Sequence, residues 1–276
     1  MYPDFFHIGI PKSGTTTIQA VLEMDSRINK ISSRYFQTPK YFMEDYNHCK
    51  HDLLNIESDE TIVRQDGNYS KFTETIFHIW NKKPSTNIIV TIREQKSMLV
   101  SRYKYAIHNG TKTGSFQKWL FSKQGMDFIS IANYSMLYRA INMYFPQNQI
   151  HFLLFEEMKY DYFNFFRRLY KILGLKMPSE IKLLNKNKGL NNNQIYMLEK
   201  LNKYRIFSMP EFISKIEFSI HKKLATFFSR YMEETKDFWE NDTLRKIEEE
   251  FRLSNQGLIK MQVFDADTLS TYGYML

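Results

Sequence analysis

Lys12 stands where a cation can act on a phosphate. It lies in the run Phe5-Phe6-His7-Ile8-Gly9-Ile10-Pro11-Lys12-Ser13-Gly14-Thr15-Thr16-Thr17, near the start of a 276-residue chain. A short apolar segment feeds a loop with two glycines, which opens through three threonines into an amphipathic stretch. A helix start presents unpaired N–H groups and the positive end of its dipole, so anions bind there. Gly9 and Gly14 allow a tight turn and close approach to the anion. Thr15, Thr16 and Thr17 add hydroxyl donors, and Lys12 adds a mobile point charge.

A second anion-binding pair lies further on. Arg93 ends the β-rich run Asn87-Ile88-Ile89-Val90-Thr91-Ile92, and Ser101 follows eight residues later. Arginine offers paired donors to an oxyanion, and a helix serine adds another.

These residues need elements to position them. The pattern predicts strands at 5–10, 61–63, 87–92 and 149–155, with helices at 15–24, 70–82, 95–107, 115–124, 131–145 and 160–173. Ile18, Val21 and Leu22 form the buried stripe of the first helix. Residues 26–58 carry no clear period. Asp66-Gly67 reads as a turn, and Gly174 as a helix stop. Strand–helix alternation over the first 175 residues implies an α/β fold with a central parallel sheet flanked by helices in three layers. Ligands of such folds bind at the carboxyl ends of strands. The expected organisation is one domain over residues 1–276, with a core at 1–190 and a helical C-terminal part at 191–276.

Bulk properties narrow the ligand class. The net charge of +8 suits an acidic substrate, a nucleic acid or a membrane surface. The basic residues are scattered, which disfavours nucleic acid. A single cysteine excludes an internal disulfide. No signal peptide is expected, and no apolar run approaches the roughly 18 residues of a spanning helix. A cytoplasmic protein is therefore expected, with no transmembrane segment and with peripheral contact to a membrane left open.

The opening loop departs from the Walker pattern G-x-x-x-x-G-K-[ST], because its lysine precedes the second glycine. The order Pro11-Lys12-Ser13-Gly14-Thr15-Thr16 instead resembles the 5′-phosphosulfate loop of sulfotransferases that use 3′-phosphoadenosine 5′-phosphosulfate (PAPS). The Arg93–Ser101 spacing is similar to that family's 3′-phosphate motif. Asn133-Tyr134, Phe145-Pro146, Phe155-Glu156-Glu157 and Leu173-Gly174-Leu175 follow its later landmarks, as residues of structural character. The resemblance covers roughly residues 5–190 and is closest to bacterial members acting on cell-surface glycans. It implies a P-loop-like fold and sulfuryl transfer from PAPS, releasing 3′-phosphoadenosine 5′-phosphate (PAP). The implied acceptor is a carbohydrate hydroxyl, free or lipid-linked. Pro11 to Thr17, Arg93 and Ser101 would hold the nucleotide, and Lys188 and Gly189 match the late basic loop. A non-catalytic nucleotide-binding protein of the same fold and a P-loop nucleotide kinase are the alternatives.

Sulfuryl transfer needs no metal in principle, and His48-Cys49-Lys50-His51 has no ligand spacing for zinc. None is expected. The acceptor hydroxyl needs a base. The family's Glu or His after the first helix is missing here, since no Glu or His lies between Asp25 and Met43. Asp66 is the favoured catalytic partner of Lys12, with His48, His51 and Glu44 as alternatives. Tyr35, Phe36, Tyr41, Phe42, Tyr69, Tyr103 and Tyr105 are candidates for a sugar-stacking surface.

Overall fold

The computed structural model describes residues 2–32, 48–63, 69–110, 114–181, 191–202, 211–231, 238–239 and 244–276. Two compact units are present. One comprises residues 1–98, 127–184 and 246–276, and the other residues 99–126 and 185–245.

The first unit is built on a parallel sheet of five strands: β1 (Phe5–Gly9), β2 (Ile28–Ser32), β3 (Leu54–Asp59), β4 (Asn87–Ile92) and β5 (Ile150–Leu154). Their order is β2-β3-β1-β4-β5, which puts β1 at the centre. Every residue of β1 is buried, so both faces of the sheet are covered. On one face, α1 (Thr15–Met24) and α8 (Tyr162–Ile172) bring Ile18, Val21, Leu22, Phe165, Phe166 and Leu169 against Phe5, Ile56, Ile89 and Leu153. Other helices of this unit are α2 (Tyr69–Lys82), α6 (Tyr134–Asn142), α7 (Phe155–Tyr160), α11 (Arg245–Lys260) and α12 (Ala266–Thr271). Gly174, at φ 68°, closes α8, where Leu175 N–H donates to the Tyr170 carbonyl as in a Schellman motif.

The second unit holds α4 (Phe116–Leu120), α9 (Asn192–Asn202) and α10 (Glu211–Phe228). The boundary between the units passes through α3 (Gln95–His108) and α5 (Lys123–Ile131). Tyr103, Phe116, Trp119, Phe238 and Trp239 form its aromatic centre. No helix among the described residues is long and apolar enough to cross a membrane.

Two expectations need correction, and one unassigned stretch gains its elements. Residues 26–58, which carry no clear period, contain two strands. β3 buries Asn55, Glu57, Ser58 and Asp59, so its polar sequence hides an interior position between β2 and β1. Thr61-Ile62-Val63 is not a strand. The Asp59 carboxylate accepts from Thr61 N–H at 2.6 Å and from Thr61 Oγ1 at 2.7 Å, and this turns the chain away. The helix expected at 131–145 begins at Tyr134, because the Asn133 side chain caps α6 at Met136 N–H.

A polar ladder crosses the sheet just below the loop. His7 Nδ1 lies 2.8 Å from Ser58 Oγ, and His7 Nε2 lies 2.9 Å from Thr91 Oγ1. Gln19 Nε2 donates to the Ser58 carbonyl from α1. Burial lowers the His7 pKa to about 4, so the ring is neutral here. The unfolded chain then takes up a proton that the folded chain refuses between about pH 6.5 and 4. Stability from this group is complete above pH 6.5 and falls as pH drops towards 4, by about 3 kcal/mol. Denaturant titrations of His7→Gln and the parent at pH 7 and pH 4.5 should show a smaller acid loss in the variant. Equal losses would contradict a buried neutral His7.

Candidate active site

The loop leaves the carboxyl end of the central strand. Ile10 N–H donates to the Thr91 carbonyl, continuing the β1–β4 ladder by one residue. Ser13 then closes a tight turn, its N–H donating to the Ile10 carbonyl at 3.0 Å and its hydroxyl at 2.6 Å. Ser13 is fully buried and acts on the loop's own backbone. Lys12 has φ 70° and Gly14 φ 81°. A left-handed lysine is uncommon, and strained backbone of this kind collects at ligand-binding sites.

Neither glycine can be replaced without displacing a neighbour. A Cβ on Gly9 would lie 2.1 Å from Thr15 Oγ1, and one on Gly14 would lie 2.1 Å from Met158 Cε and 3.0 Å from Phe155. Thr15 Oγ1 is buried without a hydrogen bond among the described residues. The N–H groups of Gly14, Thr15 and Thr16 have no acceptor there either. An orphaned hydroxyl and three orphaned donors at a helix start fit an anionic group.

Arg93 is joined to this loop directly. Its Nη1 donates to the Lys12 carbonyl at 2.9 Å and its Nε to Ser97 Oγ at 3.0 Å. The guanidinium stacks 4.6 Å from the centroid of Phe155, the ring that also walls Gly14. Burial lowers the Arg93 pKa, and the nearby Glu156, Tyr134 and Glu94 push the other way.

The turn that carries Arg93 is tethered residue by residue. Tyr134 Oη donates to the Arg93 carbonyl at 2.5 Å. Glu94 N–H donates to Glu156 Oε1 at 3.0 Å, while the Glu94 carboxylate caps α3 at the N–H groups of Lys96 and Ser97. Gln95 Nε2 donates to Asn255 Oδ1 at 2.6 Å, and Lys96 pairs with Glu248 at 3.2 Å. Asn255 Nδ2 also donates to the Met275 carbonyl, and Tyr274 Oη donates to Glu156 Oε2 at 3.1 Å. Burial raises Glu156 and pushes Tyr134 and Tyr274 well above their ordinary range, so both phenols stay protonated donors. The C-terminal residues 246–276 thus brace the turn that sets Arg93.

That bracing predicts a measurable loss. Tyr274→Phe removes a donor from a buried carboxylate and should cost about 2 kcal/mol of stability. Asn255→Ala leaves Gln95 and the Met275 carbonyl without their partner and should cost a similar amount. Urea unfolding measures both; losses below about 0.5 kcal/mol would deny the brace.

The structure brings Pro11 to Thr17 and Arg93 together. Ser101 lies half-buried on α3, within the second unit. Asp66, Glu44, Lys188 and Gly189 lie outside the described residues, as do Tyr35, Phe36, Tyr41 and Phe42. His48 and His51 precede β3, at the amino end of a parallel sheet, where Asn29 donates to the His48 carbonyl. Gly9 is at the opposite end, on the order of 15 Å away along five strand residues. Neither histidine can serve this loop. Tyr69 and Tyr103 are not stacking surfaces. Tyr69 Oη donates to the Ser130 and Asn133 carbonyls, and Tyr103 is fully buried on Glu199 and Gly114. Ser97 and the C-terminal brace are not picked out by the sequence, and Phe155 is read there only as a structural landmark. Ser97 had a usable signal, an i,i+4 hydroxyl after a strand-end arginine. No group of three or more His, Cys, Asp or Glu able to hold a metal occurs among the described residues.

Comparison with known proteins adds the following. The sequence profile described as the sulfotransferase domain matches residues 2–236. No protein of curated function matches. A sulfotransferase from Alicyclobacillus acidocaldarius is 14% identical over 68% of this chain and 87% of its own, with a TM-score of 0.55. At that identity the likeness concerns the fold. Mouse sulfotransferase SULT7A1, solved with PAP, is 15% identical over 98% of this chain and 87% of its own, with a TM-score of 0.48.

Proposed function

Because the chain belongs to the sulfotransferase family, we propose that it moves a sulfuryl group from PAPS to an acceptor hydroxyl on a carbohydrate. The acceptor would be a cell-surface glycan or its lipid-linked precursor. The observation that carries this reading is the Arg93 guanidinium bridging the Lys12 carbonyl and Ser97 Oγ. It sets a strand-end cation beside the loop, which supports reading the loop as the 5′-phosphate cradle and Arg93 as part of a neighbouring 3′-phosphate clamp.

PAPS, when bound, supplies the sulfuryl group. The N–H groups of Gly14, Thr15 and Thr16, with Thr15 Oγ1, would hold its 5′-phosphate. Lys12 would stabilise the charge that grows on that phosphate, which is electrostatic catalysis. Pro11 and Ser13 shape the loop, and Thr17 closes its first turn. Arg93 and Ser101 would hold the 3′-phosphate, with Lys188 and Gly189 closing over it. Asp66 would take the acceptor's proton on its carboxylate. It follows β3, the strand paired beside β1, by seven residues. Residues 1–276 are read as one catalytic domain, its core at 1–190, in a cytoplasmic setting.

The test is incubation with PAPS and a panel of polysaccharides in EDTA, with product mass measured. Sulfated glycan is expected, with transfer lost in Asp66→Asn and PAP binding retained. Unchanged transfer in Asp66→Asn would place the base elsewhere. PAP binding without any transfer would point to a non-catalytic binder, and magnesium-dependent phosphoryl transfer from ATP to a kinase.

A further inference from the structure

Helix α10 in the second unit packs with the wrong side outward. Its inward stripe, continued by the 3-10 turn Ser229–Tyr231, holds Phe218, Lys222, Ala225 and Ser229 at helical spacing. Ala225 and Ser229 are buried, and Phe218 and Lys222 half-buried. Lys222 Nζ lies 4.6 Å from the Phe218 ring and 3.3 Å from His108 Nε2. The outward stripe is the more apolar one. Ile216, Ile220, Leu224, Phe227 and Phe228 are between 38% and 52% exposed. Ile216, Ile220, Leu224 and Phe227 recur at i, i+4, i+8 and i+11, on one side of the helix. Lys223 and Arg230, both exposed, border this stripe along one edge.

A surface helix ordinarily turns its apolar side to the core. Contiguous exposed apolar side chains rimmed by polar ones mark an interaction surface. We propose that this face of α10 seats the protein on an anionic membrane surface. The helix would lie in the headgroup plane, with the five apolar side chains reaching the acyl boundary and Lys223 and Arg230 on the phosphates.

Two observations favour a bilayer over a second copy of the chain. Five half-exposed side chains offer on the order of 500 Å² per copy. Self-pairing would therefore bury about 1,000 Å² in total, below the roughly 1,200 Å² at which stable interfaces begin. A bilayer demands no such shape-matched area. The chain also carries a net charge of +8, which opposes self-association and favours anionic lipid. The proposal stands apart from the donor and acceptor assignments, since none of these residues belongs to the loop or to the Arg93 turn.

The experiment is co-sedimentation of the full chain with phosphatidylcholine vesicles, with and without phosphatidylglycerol. Binding to the mixed vesicles is expected, weakening as salt rises. The pair Phe227→Ser and Phe228→Ser should reduce partitioning by roughly 30-fold. Lys223→Gln and Arg230→Gln should each weaken binding to mixed vesicles by roughly fivefold and leave binding to phosphatidylcholine unchanged. All four side chains are exposed, and a thermal melt checks that the variants fold. Failure to sediment with mixed vesicles would overturn the proposal, as would wild-type binding by the double phenylalanine variant. So would a wild-type dimer in solution that the phenylalanine substitutions dissolve, since the occupant would then be a second copy.

Discussion

Lys12→Gly should lower kcat by roughly 10²–10³-fold, the usual loss when one charge-stabilising group is removed. Glycine is the informative replacement. Lys12 sits at φ 70°, where a side chain is strained and glycine is not. The variant should therefore be as stable as the parent or slightly more so, while losing its chemistry. Gly14 is the counterpart, because Gly14→Ala meets both a positive φ and a Met158 contact. That change should damage folding and activity together. Transfer rates and thermal midpoints on the two variants separate charge from shape. A Lys12→Gly enzyme with normal kcat would remove Lys12 from the chemistry.

Arg93→Lys should have the second-largest effect, felt in binding. Lysine keeps the charge but loses the fork that reaches the Lys12 carbonyl and Ser97 together, and it loses the flat stack on Phe155. PAP affinity should fall by roughly 100-fold, as for a paired donor lost from a buried anion site. Adenosine 5′-phosphate, which lacks the second phosphate, should lose far less. Calorimetric titration of both nucleotides reads the difference. An unchanged affinity ratio would take Arg93 away from the 3′-phosphate.

How much of this was legible beforehand depends on how local each signal is. The loop was legible because glycine, proline and threonine act through their own backbone and cap preferences. β4 was legible because a strand buried on both faces reads as an unbroken β-branched run. β3 was not, because its interior position is filled by Asn55, Glu57, Ser58 and Asp59, which give no apolar signal. Ser58 meets His7, and Asn55 organises the turn before the strand through Lys50 and Leu53. The first pairing spans 51 residues and leaves no period in the chain. Arg93 could be picked out as a cation at a strand end. Its real geometry depends on Tyr134, Glu156, Asn255 and Tyr274, which lie between 41 and 181 residues further on. Residues 246–276 fall beyond the matched sulfotransferase domain, yet they brace that turn. The histidine candidates failed for a topological reason. In a parallel sheet, residues just before a strand and just after one lie at opposite ends.

The most direct measurement is calorimetric titration of the unmodified protein in EDTA with PAP, adenosine 5′-phosphate and ATP. One site for a nucleotide carrying both 5′- and 3′-phosphates predicts that PAP binds without metal. Adenosine 5′-phosphate should then bind roughly 100-fold more weakly, and ATP no better than adenosine 5′-phosphate. Equal affinity for PAP and adenosine 5′-phosphate, or nucleotide binding that appears only when magnesium is added, would contradict it.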